Sequence, residues 1–364
     1  MKVPYLALDR QWKDIRSEAL PLIDEVLSTG KYLDHDIVGS LESQLSEQIG
    51  VNHTILVNSG TDALMFGLYA LGISPGDEVI TVPNSFIASA AAIQHVGATP
   101  IMVDVGQDHL MDVTKIESAI TSKTRAIMPV HLEGKVCDMH KIMKIAKKYD
   151  LFVIEDVAQA FGSKLSEQMA GSFSDVSCFS LHPLKNLNAC GDGGFVATNN
   201  SKIAHRIESL RNHGQTERNH SSEFGFVSRF DSLQAAILHI RLKKLAQVIS
   251  QRRENAKLYD LAFENSRITT PIIQNQVFHT YHTYVIEIDR RDEVKARLAS
   301  AGIDTRIHYP NLITDQTAFT RKFGDQSERI PRAIIQKHRV LSLPIHAHLT
   351  PEEIQFVANQ ILMS

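Results

Sequence analysis

Lys185 closes the segment Ser180-Leu181-His182-Pro183-Leu184-Lys185, directly after the apolar run Asp175–Ser180, with a proline fixing the turn before it. An amine at the mouth of a buried strand is partly desolvated, so it is more readily neutral and nucleophilic. Asp156 stands at the end of a second apolar run, Leu151–Val157, and Gln159 follows it. A carboxylate leaving a buried strand needs a metal, a lysine or a protonated ring nitrogen opposite it, unless it only caps a strand-to-loop corner. A third place is Asn58-Ser59-Gly60-Thr61-Asp62, between the runs Ile55–Val57 and Ala63–Leu68. A helix starting there aims free N–H groups at an anion such as phosphate, or is simply N-capped by Ser59 or Thr61. The fourth, Gly191-Asp192-Gly193-Gly194, would let the main chain pass close to a bound molecule. Phosphate anchor, strand-end carboxylate and strand-end lysine, in that order, are the parts pyridoxal phosphate needs: an anchor, a pyridinium partner and a Schiff-base lysine. Phe86 is a candidate to stack on the ring, or else a core aromatic.

The elements that must hold these residues follow from the pattern of the chain. From about residue 55, short apolar runs alternate with helical stretches, the runs being Ile55–Asn58, Asp77–Val82, Thr99–Val105, Thr124–Val130, Leu151–Val157, Asp175–Leu181 and Gly193–Asn199. This predicts an α/β fold, a three-layer, mainly parallel sheet over about 50–200 with helices on both faces. An amphipathic helix is expected from Asp231 to about Ser250, with Leu233, Ile237, Ile240 and Leu245 on one stripe. Beyond it, a strand at Tyr281–Arg290 and helices at Asp292–Gly302 and Pro351–Met363 read as a smaller C-terminal α+β domain. The expected division is therefore a large cofactor-binding domain at 1–249 and a small one at 250–364, with residues 1–20 packing elsewhere on the surface or on a partner.

Composition narrows the function classes. With 38 Lys+Arg against 41 Asp+Glu over 364 residues the net charge is −3, and no basic stretch suits nucleic acid. No run of about 18 apolar residues suggests a membrane span and the amino terminus has no signal-peptide pattern, so a cytoplasmic protein is expected. Three cysteines without zinc spacing fit reduced thiols, and the 17 histidines form no metal motif, so no metal is expected.

The ordered motifs Asn58–Leu64, Ser74–Ser89, Pro129–Met139, Val153–Ser163, Cys178–Gly194, Leu210–Gly214, Ser228–Leu238, His308–Pro310 and Leu341–His346 together resemble the nucleotide-sugar aminotransferases of the DegT/StrS type, a fold-type I pyridoxal phosphate family. The resemblance implies that Lys185 forms the Schiff base, Asp156 pairs with the pyridinium nitrogen and Gln159 bonds the ring hydroxyl. It further implies that Gly60, Thr61 and Ser180 bind the phosphate, that Phe86 stacks on the ring, and that Arg229, His308 and Tyr309 lie near substrate or the neighbouring site of a homodimer. The implied reaction moves an amino group from L-glutamate to a keto group of a nucleotide-linked deoxysugar. Gly-Asp-Gly-Gly after the lysine resembles members acting at carbon 3. Val227 stands where many relatives have an asparagine that reaches the neighbour's cofactor phosphate. A cyclitol aminotransferase, a sugar dehydratase and a non-catalytic regulatory relative are the alternatives. A lysine rather than a histidine at position 185 favours transamination over dehydration.

Overall fold

Aliphatic and β-branched runs of four or five residues are too short for helices and become strands. In the computed structural model, which describes residues 1–363, they are β1 (His53–Val57), β2 (Glu78–Thr81), β3 (Thr99–Met102), β4 (Thr124–Ile127), β5 (Phe152–Asp156), β6 (Val176–Ser180) and β7 (Gly194–Thr198). They form one sheet in the order β1-β7-β6-β5-β4-β2-β3. Only β7 runs against its neighbours, pairing antiparallel with both β1 and β6. The carboxyl ends of six strands and the amino end of β7 therefore share one edge, where open α/β sheets bind their ligands.

Helices cover both faces, which is why the strands are apolar on both sides. On one face α2 (His35–Ile49), α5 (Met139–Tyr149) and the first part of α7 (Ser232–Phe263) bury Leu41, Ile142 and Leu245 against Val153 and Phe195. On the other, α3 (Gly60–Ala70), α4 (Ala88–His95) and α6 (Ser201–Leu210) bury Phe66, Ile93 and Ile207 against Ile55 and Ile154. The placement of α3 depends on two glycines seven residues apart on its sheet-facing side. A Cβ on Gly67 would lie 2.9 Å from Val176 Cγ1, and one on Gly60 would lie 2.7 Å from Ser180 Cβ. The helix thus lies flush on β6, its first turn against the last residue of that strand.

The helix expected to end near Ser250 runs to Phe263, 32 residues in all. Its later turns carry Ala256, Tyr259 and Phe263 into a separate core with Tyr284, Leu343 and Val357. That core lies under the antiparallel pair β8 (Tyr284–Glu287) and β9 (Val340–Leu343), with α8 (Arg291–Ser300) and α9 (Pro351–Leu362) over it. The amino terminus reaches the same unit: Val3 is fully buried there and bridges to Ile303. The helix α1 (Leu8–Thr29) lies instead on α7, with Ile15 and Ala19 against Ile237 and Ile240. Among the described residues no helix is long and apolar enough to cross a membrane, and no group of three or more His, Cys, Asp or Glu side chains could hold a metal ion.

Candidate active site

Successive residues of a strand face opposite sides, and on β5 that alternation sets two carboxylates in opposite surroundings. Glu155 is fully buried and well supplied with donors. Its Oε2 accepts from His131 Nε2 at 2.9 Å and Gly171 N at 2.8 Å, and its Oε1 accepts from the backbone N–H groups of Phe173 and Ser174 at 3.0 and 3.1 Å. Burial would raise its pKa, but these bonds, led by that from His131, hold it below the ordinary value. Asp156 is 4% exposed and has two donors, Ser89 Oγ at 2.8 Å and Ala158 N at 3.1 Å. Among the described residues no cation lies within ion-pair distance of it. Burial raises its pKa, outweighing the bonds from Ser89 and Ala158 and the charge of Lys185. Glu155 is a finished structural bond, whereas Asp156 is a carboxylate still lacking a positive partner.

Asp156 opens onto a cavity of about 440 Å³ that Lys185 lines as well. The lysine is part-exposed to this space, yet enough protein surrounds it that desolvation pulls its pKa down to about 8, against the opposing pull of Asp156. The turn that carries it is tied by a bond from Lys185 N to His182 O at 2.9 Å. At one end of the cavity, α3 begins. Ser59 caps it, its Oγ accepting from Asp62 N at 3.0 Å, so the first-turn N–H groups of Gly60 and Thr61 have no partner within the helix. With Ser180 beside them they form a cradle for an anion, and any side chain at position 60 would intrude on it. Gly194 serves the same crowding, since a Cβ there would lie 2.5 Å from the Ser59 carbonyl carbon.

Aromatic and amide groups complete the wall. Phe86 is 56% exposed, unusual for a core ring, and its centroid lies 6.0 Å from that of Tyr309. Gln159 Oε1 accepts from Glu133 N at 2.9 Å, which fixes the amide so that Nε2 donates to Tyr309 Oη at 3.1 Å. His308 lines the cavity too, bonded through Nδ1 to Ser342 Oγ at 2.8 Å. Burial, with Lys185's charge adding to it, lowers its pKa to about 4, so it is neutral at ordinary pH.

The fold thus gathers Gly60, Thr61, Phe86, Asp156, Gln159, Ser180, Lys185, His308 and Tyr309 around one space. Arg229 is not among them. It is exposed and lines a separate depression with Asp34, Glu208 and Arg211. Val227 is 54% exposed near the end of β1, where Asn58 Nδ2 donates to its carbonyl. Sequence reasoning missed Tyr5, Ser89, Arg252, His282 and His346, all of which line the cavity. Only Arg252 carried a readable signal. It stands on the stripe Leu245, Ile249, Arg252, Ala256, Tyr259 of α7, a run of buried positions at helical spacing where an arginine is out of place.

A sheet of this order, with a lysine and an unpaired carboxylate at its ligand edge, is the arrangement that a fold-type I aminotransferase requires. The chain belongs to the DegT/DnrJ/EryC1/StrS aminotransferase family, which it matches over residues 13–362. It is 41% identical to the UDP-N-acetyl-3-dehydro-alpha-D-glucosamine 3-aminotransferase of Acidithiobacillus ferrooxidans, over 96% of each chain. It is 36% identical to a protein of Geobacillus stearothermophilus named a pleiotropic regulatory protein, over 99% of this chain and 98% of the other. Among solved structures it superposes with a TM-score of 0.96 on Streptomyces venezuelae DesV in complex with a ketimine intermediate, at 36% identity, covering 100% of this chain and 98% of that one.

Proposed function

We propose that this chain is a pyridoxal phosphate-dependent aminotransferase that moves an amino group from L-glutamate to the keto group of a nucleotide-linked deoxysugar, at carbon 3. The observation that carries the reading is the joint placement of the Lys185 amine, the unpaired Asp156 carboxylate and the anion cradle of α3 on one cavity. These groups fit the cofactor: Gly60, Thr61 and Ser180 would hold its phosphate, Asp156 its ring nitrogen, Phe86 its ring face, and Lys185 its carbonyl carbon. Bound there, pyridoxal phosphate supplies an electron sink for the carbon next to the amino nitrogen and carries the amino group between the two substrates. Asp156 favours the protonated ring nitrogen because it otherwise has no cation. Lys185 would also be the base that takes and returns the substrate proton, and burial, which pulls its pKa down to about 8, favours the neutral amine this needs. The names of relatives that act on 3-keto or 3-amino sugar nucleotides support carbon 3.

The same reading makes the protein a homodimer with shared sites. Phe224 is fully exposed and Val227 largely so, and Arg229 faces away from its own chain's cavity, as expected of a segment that a second copy covers. Three free cysteines fit a cytoplasmic location.

The test uses visible absorption. Purified protein is expected to develop the band of the bound cofactor on adding pyridoxal phosphate and to lose it on adding L-glutamate. In Lys185→Ala no glutamate-dependent bleaching should occur, although the fold, followed by circular dichroism, is unchanged. The rate of cofactor capture should rise with pH and level off as Lys185 loses its proton near pH 8. Bleaching equal to wild type in the alanine variant defeats the proposal.

A further inference from the structure

We propose that His109 is a positioning residue for the cofactor ring: its imidazole joins Glu133 to Glu287 and so sets the amide of Gln159, a role that rests on the aminotransferase reading of the same cavity. His109 is 7% exposed, and Glu133 and Lys135 beside it are 1% and 2% exposed. Its Nδ1 donates to Glu133 Oε1 at 2.7 Å and its Nε2 to Glu287 Oε1 at 3.0 Å. A neutral imidazole has one N–H, so bonds to two carboxylates call for the doubly protonated ring. Burial would pull its pKa down, but Glu133 and then Glu287 outweigh burial and the opposing charge of Lys135, so the second proton is held. Lys135 Nζ lies 2.6 Å from Glu133 Oε2, and Arg339 Nε donates to Glu287 Oε2 at 3.2 Å. The net stability from buried charges of this kind is small, and what they supply here is a single arrangement.

That arrangement reaches the cofactor site through the main chain of Glu133. Its N–H donates to Gln159 Oε1 at 2.9 Å, which leaves Nε2 of the same amide facing the Tyr309 hydroxyl at 3.1 Å. Its carbonyl accepts from Thr283 N at 3.3 Å, just before β8. With its side chain tied to His109 and Lys135, residue 133 is held from every side in a left-handed backbone, φ 67°. His109 is left-handed too, at φ 69°, which is uncommon for a residue other than glycine. The His109 carbonyl also accepts from Asn84 Nδ2 at 2.9 Å, two residues before Phe86, a bond that replacing the imidazole leaves in place. His109, Glu133 and Glu287 do not line the cavity, so the imidazole reaches the ring through Gln159 and not by contact.

The experiment uses the full chain as wild type, His109→Asn, Glu287→Gln, Gln159→Ala and the double variant of His109→Asn with Gln159→Ala. Asparagine tolerates the left-handed backbone and is too short to span both carboxylates. Three quantities are read: the Kd of pyridoxamine phosphate by calorimetry, the visible circular dichroism of the protein loaded with pyridoxal phosphate, and the limiting rate of glutamate bleaching apart from the half-saturating concentration. His109→Asn and Gln159→Ala should each weaken binding of pyridoxamine phosphate by about ten-fold, alter the dichroic band in the same sense, and lower the limiting rate by about ten-fold, with half-saturating glutamate within about three-fold of wild type. The losses should not multiply in the double variant, which should match Gln159→Ala within about two-fold. Glu287→Gln should change the same readouts by about three-fold, and it decides the matter if His109→Asn gives no melting transition. A lower melting temperature with wild-type Kd, dichroic band and rate means that the network only supports the fold, and overturns this inference alone. Full multiplication of the losses in the double variant does the same. A wild type that binds neither form of the cofactor overturns it together with the aminotransferase reading.

Discussion

Glu155 and Asp156 are adjacent, acidic and buried, and the protein uses them in opposite ways. Glu155 accepts from His131, Gly171, Phe173 and Ser174, so replacing it leaves several buried donors without an acceptor. Glu155→Gln should cost about 3 kcal/mol, roughly 4 °C in melting temperature for a chain of this length. Asp156 has a carboxyl pKa raised in the folded state, so its contribution to stability declines as pH rises above the ordinary aspartate value of 3.8. At neutral pH, Asp156→Asn should therefore leave the melting temperature of the cofactor-free protein unchanged or higher, while abolishing glutamate-dependent bleaching. Melting curves of the two variants side by side check this, and a larger drop for Asp156→Asn than for Glu155→Gln would reverse the assignment of their roles. Both residues were plain in the sequence as the end of one apolar run. What the run does not show is which acid is satisfied, because the donors to Glu155 come from His131 and from 171–174 in other segments.

The element that positions the anion cradle is α3, and its placement is a matter of two absent side chains. Gly60→Ala would put a methyl 2.7 Å from Ser180 Cβ and 3.2 Å from Ser180 Cα. The backbone cannot yield as a flexible side chain would, so the first turn must lift off β6 and carry its N–H groups with it. Affinity for pyridoxal phosphate, measured by spectrophotometric titration, should fall by at least ten-fold while the helix content stays constant. Unchanged affinity would show that the first turn does not hold the phosphate. The strands and most helices were legible because their periods are local properties of the chain. The true length of α7 was less so, since Gln251-Arg252-Arg253-Glu254 reads as a solvated end and is instead the passage from the sheet's core to the small unit's core. The membership of Arg252 in the cavity was lost with it, for its place on the apolar stripe shows only when the helix is carried past Ser250.

At the scale of the molecule, the cavity is closed by parts from both ends of the chain. Tyr5 and His346 line it together, Val3 pairs with Ile303, and Arg10 holds Glu353 in an ion pair with an Nη2–Oε1 distance of 3.1 Å. Removing residues 1–6 should therefore leave the seven-stranded sheet folded but open the cavity, with weaker glutamate use and a lower melting temperature. Kinetics and a melting curve of the shortened chain check this, and wild-type values in both would mean the segment is dispensable. Nothing in the first residues announces such a role, as they carry no motif and their partners lie some 300 positions away. That separation also orders events in time. A ribosome adding about 5–20 residues per second needs roughly 15–60 s to travel from Val3 to Ile303. For that interval the central sheet can be complete while Tyr5 has nowhere to dock, so the newborn chain acquires its reactive cavity only as the stretch from Ile303 to His346 emerges, and a ribosome that stalls late releases a folded protein without a working site.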